Sequence, residues 1–301
     1  MPPSFRVSSG TNAARLPRLH AEMATEPTPQ EEWAAFLSGT HPHLQDKSPL
    51  RFIPSSPRCR LCSAPFGRPG AFVLRRFGYT PWEKNPKICG RCFKGIETVA
   101  KMCPTATEDR EINGAEVELS MLFADVRGSS RLARQMPTWD FTRLMNRFYK
   151  VSKDVLVEAD AIIEKFVGDE VVALFLPLMT GPGHARRAVE TAEALLRATG
   201  HGDHEEPWVP LGAGVHTGVA FVGVVGTKGS SEFTALGDPV NIAAHLASQA
   251  AAGEILVSDA TAAAAAMAPD DLERRHVSLK GHPLDALVLR VGGPAQDESI
   301  G

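Results

Sequence analysis

Nowhere in these 301 residues do eighteen apolar residues run together, so no membrane-spanning helix is expected. The N-terminus, MPPSFRVSSGTNAARLPRLHAEM, carries arginines but lacks the continuous apolar segment of a secretory leader. Net charge is also small. Lys and Arg number 32 against 35 Asp and Glu, leaving −3, which removes a general pull toward nucleic acid or anionic membrane. Cysteine is scarce, at five residues, and four of them fall in two Cys-x-x-Cys pairs, a metal-like spacing that fits a disulfide set poorly. The expectation is a cytoplasmic chain without membrane contact, with no internal repeat and with nucleic acid an unlikely partner.

What is present divides the chain. With 43% hydrophobic residues it can bury one full-size core and a smaller one. Residues 1–50 are rich in Pro, Ser and Thr and read as mostly flexible, apart from a short helix at 30–37 carrying Trp33 and Phe36. Residues 51–93 turn to Cys, Pro, Gly and Arg with little periodicity, as in a module held by metal. A short helix and polar linker fill 94–113, the regular domain covers 114–293, and 294–301 is a tail.

Within 114–293 an apolar strand at 119–124 ends in Asp125 and a Gly128-Ser129-Ser130 turn. A helix follows with Phe141, Leu144, Met145, Phe148 and Val151 at spacings of three and four. Residues 161–166 and 170–176 read as strands joined by Val167-Gly168-Asp169, and a second helix covers 185–197. Residues 211–216 and 219–225 read as a strand pair around Thr217-Gly218. Pro239 opens a third helix, and 255–257, 277–280 and 286–291 are closing strands. The alanines at 262–266 favour helix. The fold class is α+β, a βαββαβ sandwich with helices on one sheet face.

Asp125 at a strand end and Asp169 at a hairpin tip can approach within a few Å. Such oxygen donors suit Mg²⁺ or Mn²⁺, and two such ions about 4 Å apart can activate an attacking oxygen and neutralise a leaving one. Read alone, each aspartate is an ordinary helix cap or turn residue.

In order, FADVRGSS, EKFVGDEVVALF, GVHTG and TALGDPVNIAAHLAS, with VSLKG trailing, resemble the motifs of class III adenylate and guanylate cyclases over about 116–291. The resemblance implies a ferredoxin-like catalytic domain that works as a head-to-tail homodimer, one subunit supplying metal aspartates and the other the base-reading residues. It implies that Asp125, Asp169 and the Val126 carbonyl hold two Mg²⁺ or Mn²⁺ ions, and that the loop from Arg127 through Gly128, Ser129 and Ser130 lies under the triphosphate. Lys165 and Thr234 fall where the family reads adenine, which implies ATP as substrate and 3′,5′-cyclic AMP with pyrophosphate as products. Asn241 matches the residue that orients the ribose. One turn later, where the family has an arginine, stands His245; a histidine is shorter and mostly neutral at pH 7, so the enzyme is expected to be slow or pH-sensitive, unless Arg127 or Lys280 compensates. A cyclase for another nucleotide, and a non-catalytic nucleotide-binding regulator, stay open. His216 is read as structural.

Upstream, Cys59, Cys62, Cys89 and Cys92 have the spacing of a structural Cys₄ zinc site, ribbon-like or treble-clef, with a redox dithiol as the alternative. Arg58, Arg60, Arg68, Arg75, Arg76 and Arg91 make this module basic. It is expected to dock a protein partner or set dimer geometry, and Cys103 reads as a free thiol.

Overall fold

The computed structural model describes residues 27–44, 52–53, 56–66, 71–92, 113–202, 206–227, 230–268, 272–279 and 282–291. The linker at 94–112, Cys103, Arg68 and Lys280 lie outside them. The short N-terminal helix is α1 (Pro29–Leu37), closed by a capping box in which Thr28 and Glu31 satisfy each other's backbone N–H groups.

Strand β1 (Asn113–Val126) carries two apolar sets, because successive side chains point to opposite faces. Leu122, Ala124 and Val126 bury into one core, and Leu119, Met121 and Phe123 into another. β1 pairs antiparallel with β3 (Glu170–Phe175) on one side and β4 (Leu211–Thr227) on the other. With β2 (Ile162–Val167) at the edge, the order β2-β3-β1-β4 is that of a ferredoxin-like core, and the mixed α+β expectation holds. The sheet continues through β6 (Glu254–Ser258), β8 (His282–Arg290) and β7 (Glu273–Leu279).

The first face is covered by α3 (Thr138–Glu158) and α4 (His184–Ala198). Met145, Phe148, Ser152 and Leu156 form the buried stripe of α3. Ala188, Ala192, Leu195 and Leu196 do the same on α4. Each fully buried leucine or phenylalanine contributes about 1.5–3 kcal/mol. The expected single helix after β1 is in fact two, α2 (Ser129–Gln135) and α3, separated at Pro137, which lacks the N–H an unbroken helix would need.

Two expectations are corrected. Helices do not lie on one face alone. Helix α5 (Asp238–Gln249) buries Ala243 and Ala247 in the second core, beside Trp33 and Leu37 of α1 and Phe66 and Ile88 of the cysteine module. Residues 211–225 are not two strands either. Thr217-Gly218 lies inside the seventeen-residue β4, and the hairpin partner is β5 (Ser230–Leu236), which sequence reading did not identify. Gly218 is small because a Cβ there would stand 3.1 Å from Pro239 of α5; it marks a close approach and not a turn. Closer still, a Cβ on Gly214 would sit 2.2 Å from the Ala247 nitrogen and 2.6 Å from the Ala243 oxygen.

Helix α6 (Asp259–Ala264) begins just ahead of the alanine run and is capped by Ser258. His216, structural as expected, bonds through Nδ1 to Ser258 Oγ at 2.8 Å, and burial lowers its pKa to about 4. No helix among the described residues is long and apolar enough to cross a membrane.

The closing strands are tied by one buried carboxylate. Glu254 accepts from Arg275 at 2.7 and 2.9 Å, from Arg290 at 3.1 Å, and from the Ala251 amide at 3.0 Å. Arg275 above all lowers its pKa from 4.5 to about 2. A folded pKa below the unfolded one gives stability that is complete above about pH 4.5 and lost as pH falls toward 2. Glu254→Gln should therefore destabilise the protein by on the order of 3 kcal/mol at pH 7. The gap to the parent should narrow below pH 4. Urea titrations at pH 7 and pH 3 check this, and a gap independent of pH would contradict it.

Candidate active site

Strand pairing delivers the first group of candidate residues. Asp125 faces Glu170 across the β1–β3 ladder, and the Val126 amide donates to the Asp169 carbonyl at 3.1 Å, so the strand end and the hairpin tip meet. Asp125 is half-buried and ion-paired with the Arg127 guanidinium. Arg127 reaches further, donating to the carbonyls of Ser248 at 3.1 Å and Ala250 at 3.5 Å, at the C-terminal end of α5. It therefore serves a helix end and a carboxylate, and is not a free cation for a phosphate. Burial lowers the Arg127 pKa, with Asp169 and Glu170 opposing. Burial, reinforced by Asp169, raises that of Glu170, a carboxyl at this end of the sheet that sequence reading had not singled out.

Gly128 precedes α2, and Ser129 and Ser130 form its first turn. Both serines line a cleft of about 410 Å³ together with Asn146, Tyr149, Gly168 and Asp169. The Tyr149 hydroxyl donates to the Gly168 carbonyl and so ties α3 to the β2–β3 turn. Asp169 is the carboxylate that lines this cleft, and a hard oxygen donor of that kind suits a divalent cation.

A second group forms around a residue the sequence reading passed over. Thr234 on β5 donates from Oγ1 to Glu164 Oε1 at 2.7 Å, and Lys165 Nζ lies 3.3 Å from the same oxygen. Glu164 is buried, while Lys165 is about half exposed. Lys84, from the cysteine module, holds the two strands together by donating to the Glu164 carbonyl at 2.7 Å and the Phe233 carbonyl at 3.2 Å. Burial lowers its pKa, with Glu164 opposing. Glu164 was legible only as the neighbour of Lys165, and Lys84 stands in no motif.

Asn241 and His245 form the third group, one turn apart on α5. Asn241 is exposed. His245 is half-buried, and its Nε2 is shut from solvent without a hydrogen-bond partner among the described residues. Among the described residues no hydrogen bond or ion pair joins Lys165, Thr234, Asn241 or His245 to Asp125 or Asp169.

The four cysteine sulfurs lie within 4.8 Å of one another. Cys59 and Cys92 are 3.7 Å apart, Cys62 and Cys89 3.8 Å. A tetrahedral ion about 2.3 Å from each sulfur would separate them by about 3.8 Å. Hydrogen bonds from Cys62, then Cys89 and Cys92, hold the Cys59 thiol far below its ordinary range, whereas Cys92 is pushed up, chiefly by Cys59. A metal binds cysteine as the thiolate, and binding at four sulfurs releases their protons.

The module is docked on its own chain. Ile163 donates its amide to the Lys84 carbonyl at 3.2 Å, Asn85 Nδ2 donates to the Ala161 carbonyl at 2.9 Å, and Arg60 and Lys87 pair with Asp160 at 2.8 and 3.1 Å. Two more of its arginines are engaged within the module: Arg58 donates to the Ser63 carbonyl at 3.0 Å, and Arg91 stacks 5.2 Å from the Tyr79 ring centre.

The family model described as the adenylate and guanylate cyclase catalytic domain matches residues 114–290. An uncharacterized protein of Mycobacterium tuberculosis is 31% identical over 183 residues, 58% of this chain and 32% of that protein. The chain thus spans about a third of the length of the curated relatives it matches. Among solved structures, the adenylyl cyclase CyaB from P. aeruginosa is 25% identical with a TM-score of 0.51, over 63% of this chain and 100% of that one. The guanylyl cyclase Cya2 is 25% identical with a TM-score of 0.52, over 60% and 96%.

The Lys84 bridge has a measurable consequence. Lys84→Met keeps the length of the side chain and deletes its donors, leaving two carbonyls short of a partner at about 1–3 kcal/mol each. Amide hydrogen exchange at residues 232–236 should then quicken by tenfold or more, while α4 stays protected. Unchanged exchange in β5 would mean that Lys84 does not hold the hairpin.

Proposed function

The chain belongs to the adenylate and guanylate cyclase catalytic-domain family through residues 114–290, and from that premise we propose that it converts ATP to 3′,5′-cyclic AMP and pyrophosphate at the interface of a head-to-tail homodimer. The observation that carries the choice of ATP is the convergence of Lys165 and Thr234 on Glu164. A lysine donates to the unprotonated ring nitrogen N1 of adenine, where guanine carries its own N–H. A threonine oxygen accepts from adenine's exocyclic amine.

The family resemblance implies a site shared between two protomers. One protomer supplies Asp125, Asp169 and the Val126 carbonyl as the metal-holding set, with Ser129 and Ser130 toward the triphosphate. Its partner brings the same chain's base-reading pair and Asn241, which orients the ribose so that its 3′-oxygen stands in line with the α-phosphorus. When bound, Mg²⁺ or Mn²⁺ supplies charge neutralisation for the attacking and leaving oxygens. His245 stands where the resemblance implies an arginine, and Arg127 is engaged elsewhere, so turnover is expected to be slow; losing one such contact costs on the order of 10²–10³ in rate.

A second reading, a nucleotide-binding regulator without turnover, is favoured by one observation: the closed-off Nε2 of His245. The four cysteines are assigned to structural Zn²⁺, which suits a compact sulfur set, and the module to positioning β2 and β5.

Incubating the protein with each nucleoside triphosphate and Mn²⁺ or Mg²⁺, then weighing the products, tests the reading: cyclic AMP should appear from ATP. Asp125→Ala and Asp169→Ala should each lower that rate by about 10³-fold or more with the fold intact. Mixing the Asp125→Ala chain with an Asn241→Ala chain should restore activity, because one heterodimer site then carries neither change. Silence despite subunit exchange would refute the shared site. Elemental analysis should find one zinc per chain, lost in the Cys59→Ser, Cys89→Ser double variant; unchanged zinc would refute the cysteine assignment.

A further inference from the structure

Glu164 is assigned no task by the reading above, yet it is the residue around which that reading is organised. Its side chain is buried, at about one-twentieth exposure. A carboxylate in such a place is costly unless paired, and Glu164 is paired twice through one oxygen, with the Thr234 hydroxyl at 2.7 Å and the Lys165 ammonium at 3.3 Å. Its main-chain carbonyl is fixed in turn by Lys84.

The chemistry of a hydroxyl makes this arrangement informative. A threonine Oγ can donate one hydrogen bond and accept two. Left to itself, Thr234 would meet either purine, accepting from an adenine amine or donating to a guanine carbonyl. An ionised carboxylate has lone pairs and no proton to give, so the proton between Thr234 and Glu164 is the threonine's. The other contact of Thr234 Oγ1, to the Ala235 carbonyl at 3.4 Å, also takes a proton and supplies none. What remains for a ligand is lone pairs alone.

Resting on the adenylate cyclase reading, we propose that Glu164 is a specificity-determining positioning residue: by accepting the hydrogen bond of the Thr234 hydroxyl and holding the Lys165 ammonium beside it, it makes Thr234 an obligate acceptor toward the base and so excludes guanine. With GTP the guanine carbonyl would face the Thr234 oxygen lone pair to lone pair, two acceptors with no proton between them. Discrimination against a mismatched polar partner is large because buried groups are then left without hydrogen bonds.

Glu164→Gln tests this at constant shape. A glutamine can offer its NH₂ to Thr234, which frees the hydroxyl to turn and donate. The kcat/KM ratio of ATP over GTP should fall by about tenfold or more, with GTP turnover rising and not merely ATP turnover falling. Adding Glu164→Gln to a Thr234→Ala background should leave the ratio where Thr234→Ala alone puts it, because the effect runs through that hydroxyl. Glu164→Asp, which keeps an acceptor, should retain more of the ATP preference than Glu164→Gln.

Equal losses with both nucleotides in Glu164→Gln would reduce Glu164 to a structural role while leaving the adenylate cyclase reading in place. The same holds for a Glu164→Gln effect that persists without Thr234. Should the parent itself prefer GTP, or turn over neither, the functional reading fails and this inference with it.

Discussion

A sheet with apolar side chains on both faces must be covered twice, and that requirement governs the rest of this molecule. Along β1, Leu122, Ala124 and Val126 call for one cover and Leu119, Met121 and Phe123 for another. Helices α3 and α4 answer the first call. The second is answered piecemeal, by α5, by Trp33 and Leu37 of α1, and by Phe66 and Ile88 beside the four cysteines. Because the module is part of the core, the cysteine cluster is part of the fold of the cyclase domain and not an appendage.

The charges follow from that docking. Where the module reaches the sheet, its polar groups meet carbonyls and carboxylates that would otherwise be buried alone: Asn85 at Ala161, Lys87 and Arg60 at Asp160, Lys84 at Glu164 and Phe233. At the opposite end of the same strands Arg127 does similar work, joining Asp125 to the end of α5. The two ends use cations differently. Lys84 neutralises main-chain dipoles and leaves the Glu164 carboxylate to Thr234 and Lys165. Arg127 sits on the carboxylate itself, where a divalent ion would have to displace it or share the oxygens.

Much of this was legible in the residues. The metal-like cysteine spacing, the strand ending at Asp125, the hairpin at Asp169 and the proline opening α5 are local signals, and local signals survive folding. What escaped depends on contacts between distant segments. A glycine needed for close approach, as Gly218 is, and a glycine needed for a bend look alike in sequence; only Pro239, twenty-one residues on, tells them apart. Misplacing that turn hid β5. Glu164 looked like any strand acid, since its partner Thr234 lies 70 residues away. Lys84 stands in no motif, and its partners at Glu164 and Phe233 are 80 and 149 residues away.

The contact between α5 and β4 bears on motion. With Gly214 under the backbone of Ala243 and Ala247, that turn of the helix sits on bare main chain, without the layer of side chains that normally separates a helix from a sheet. Side chains can slide and change rotamer, but two backbones in contact have no such slack. Helix α5 therefore rides with the sheet as one rigid piece. Any displacement of Asn241 or His245 has to come from moving that whole piece, β4 included.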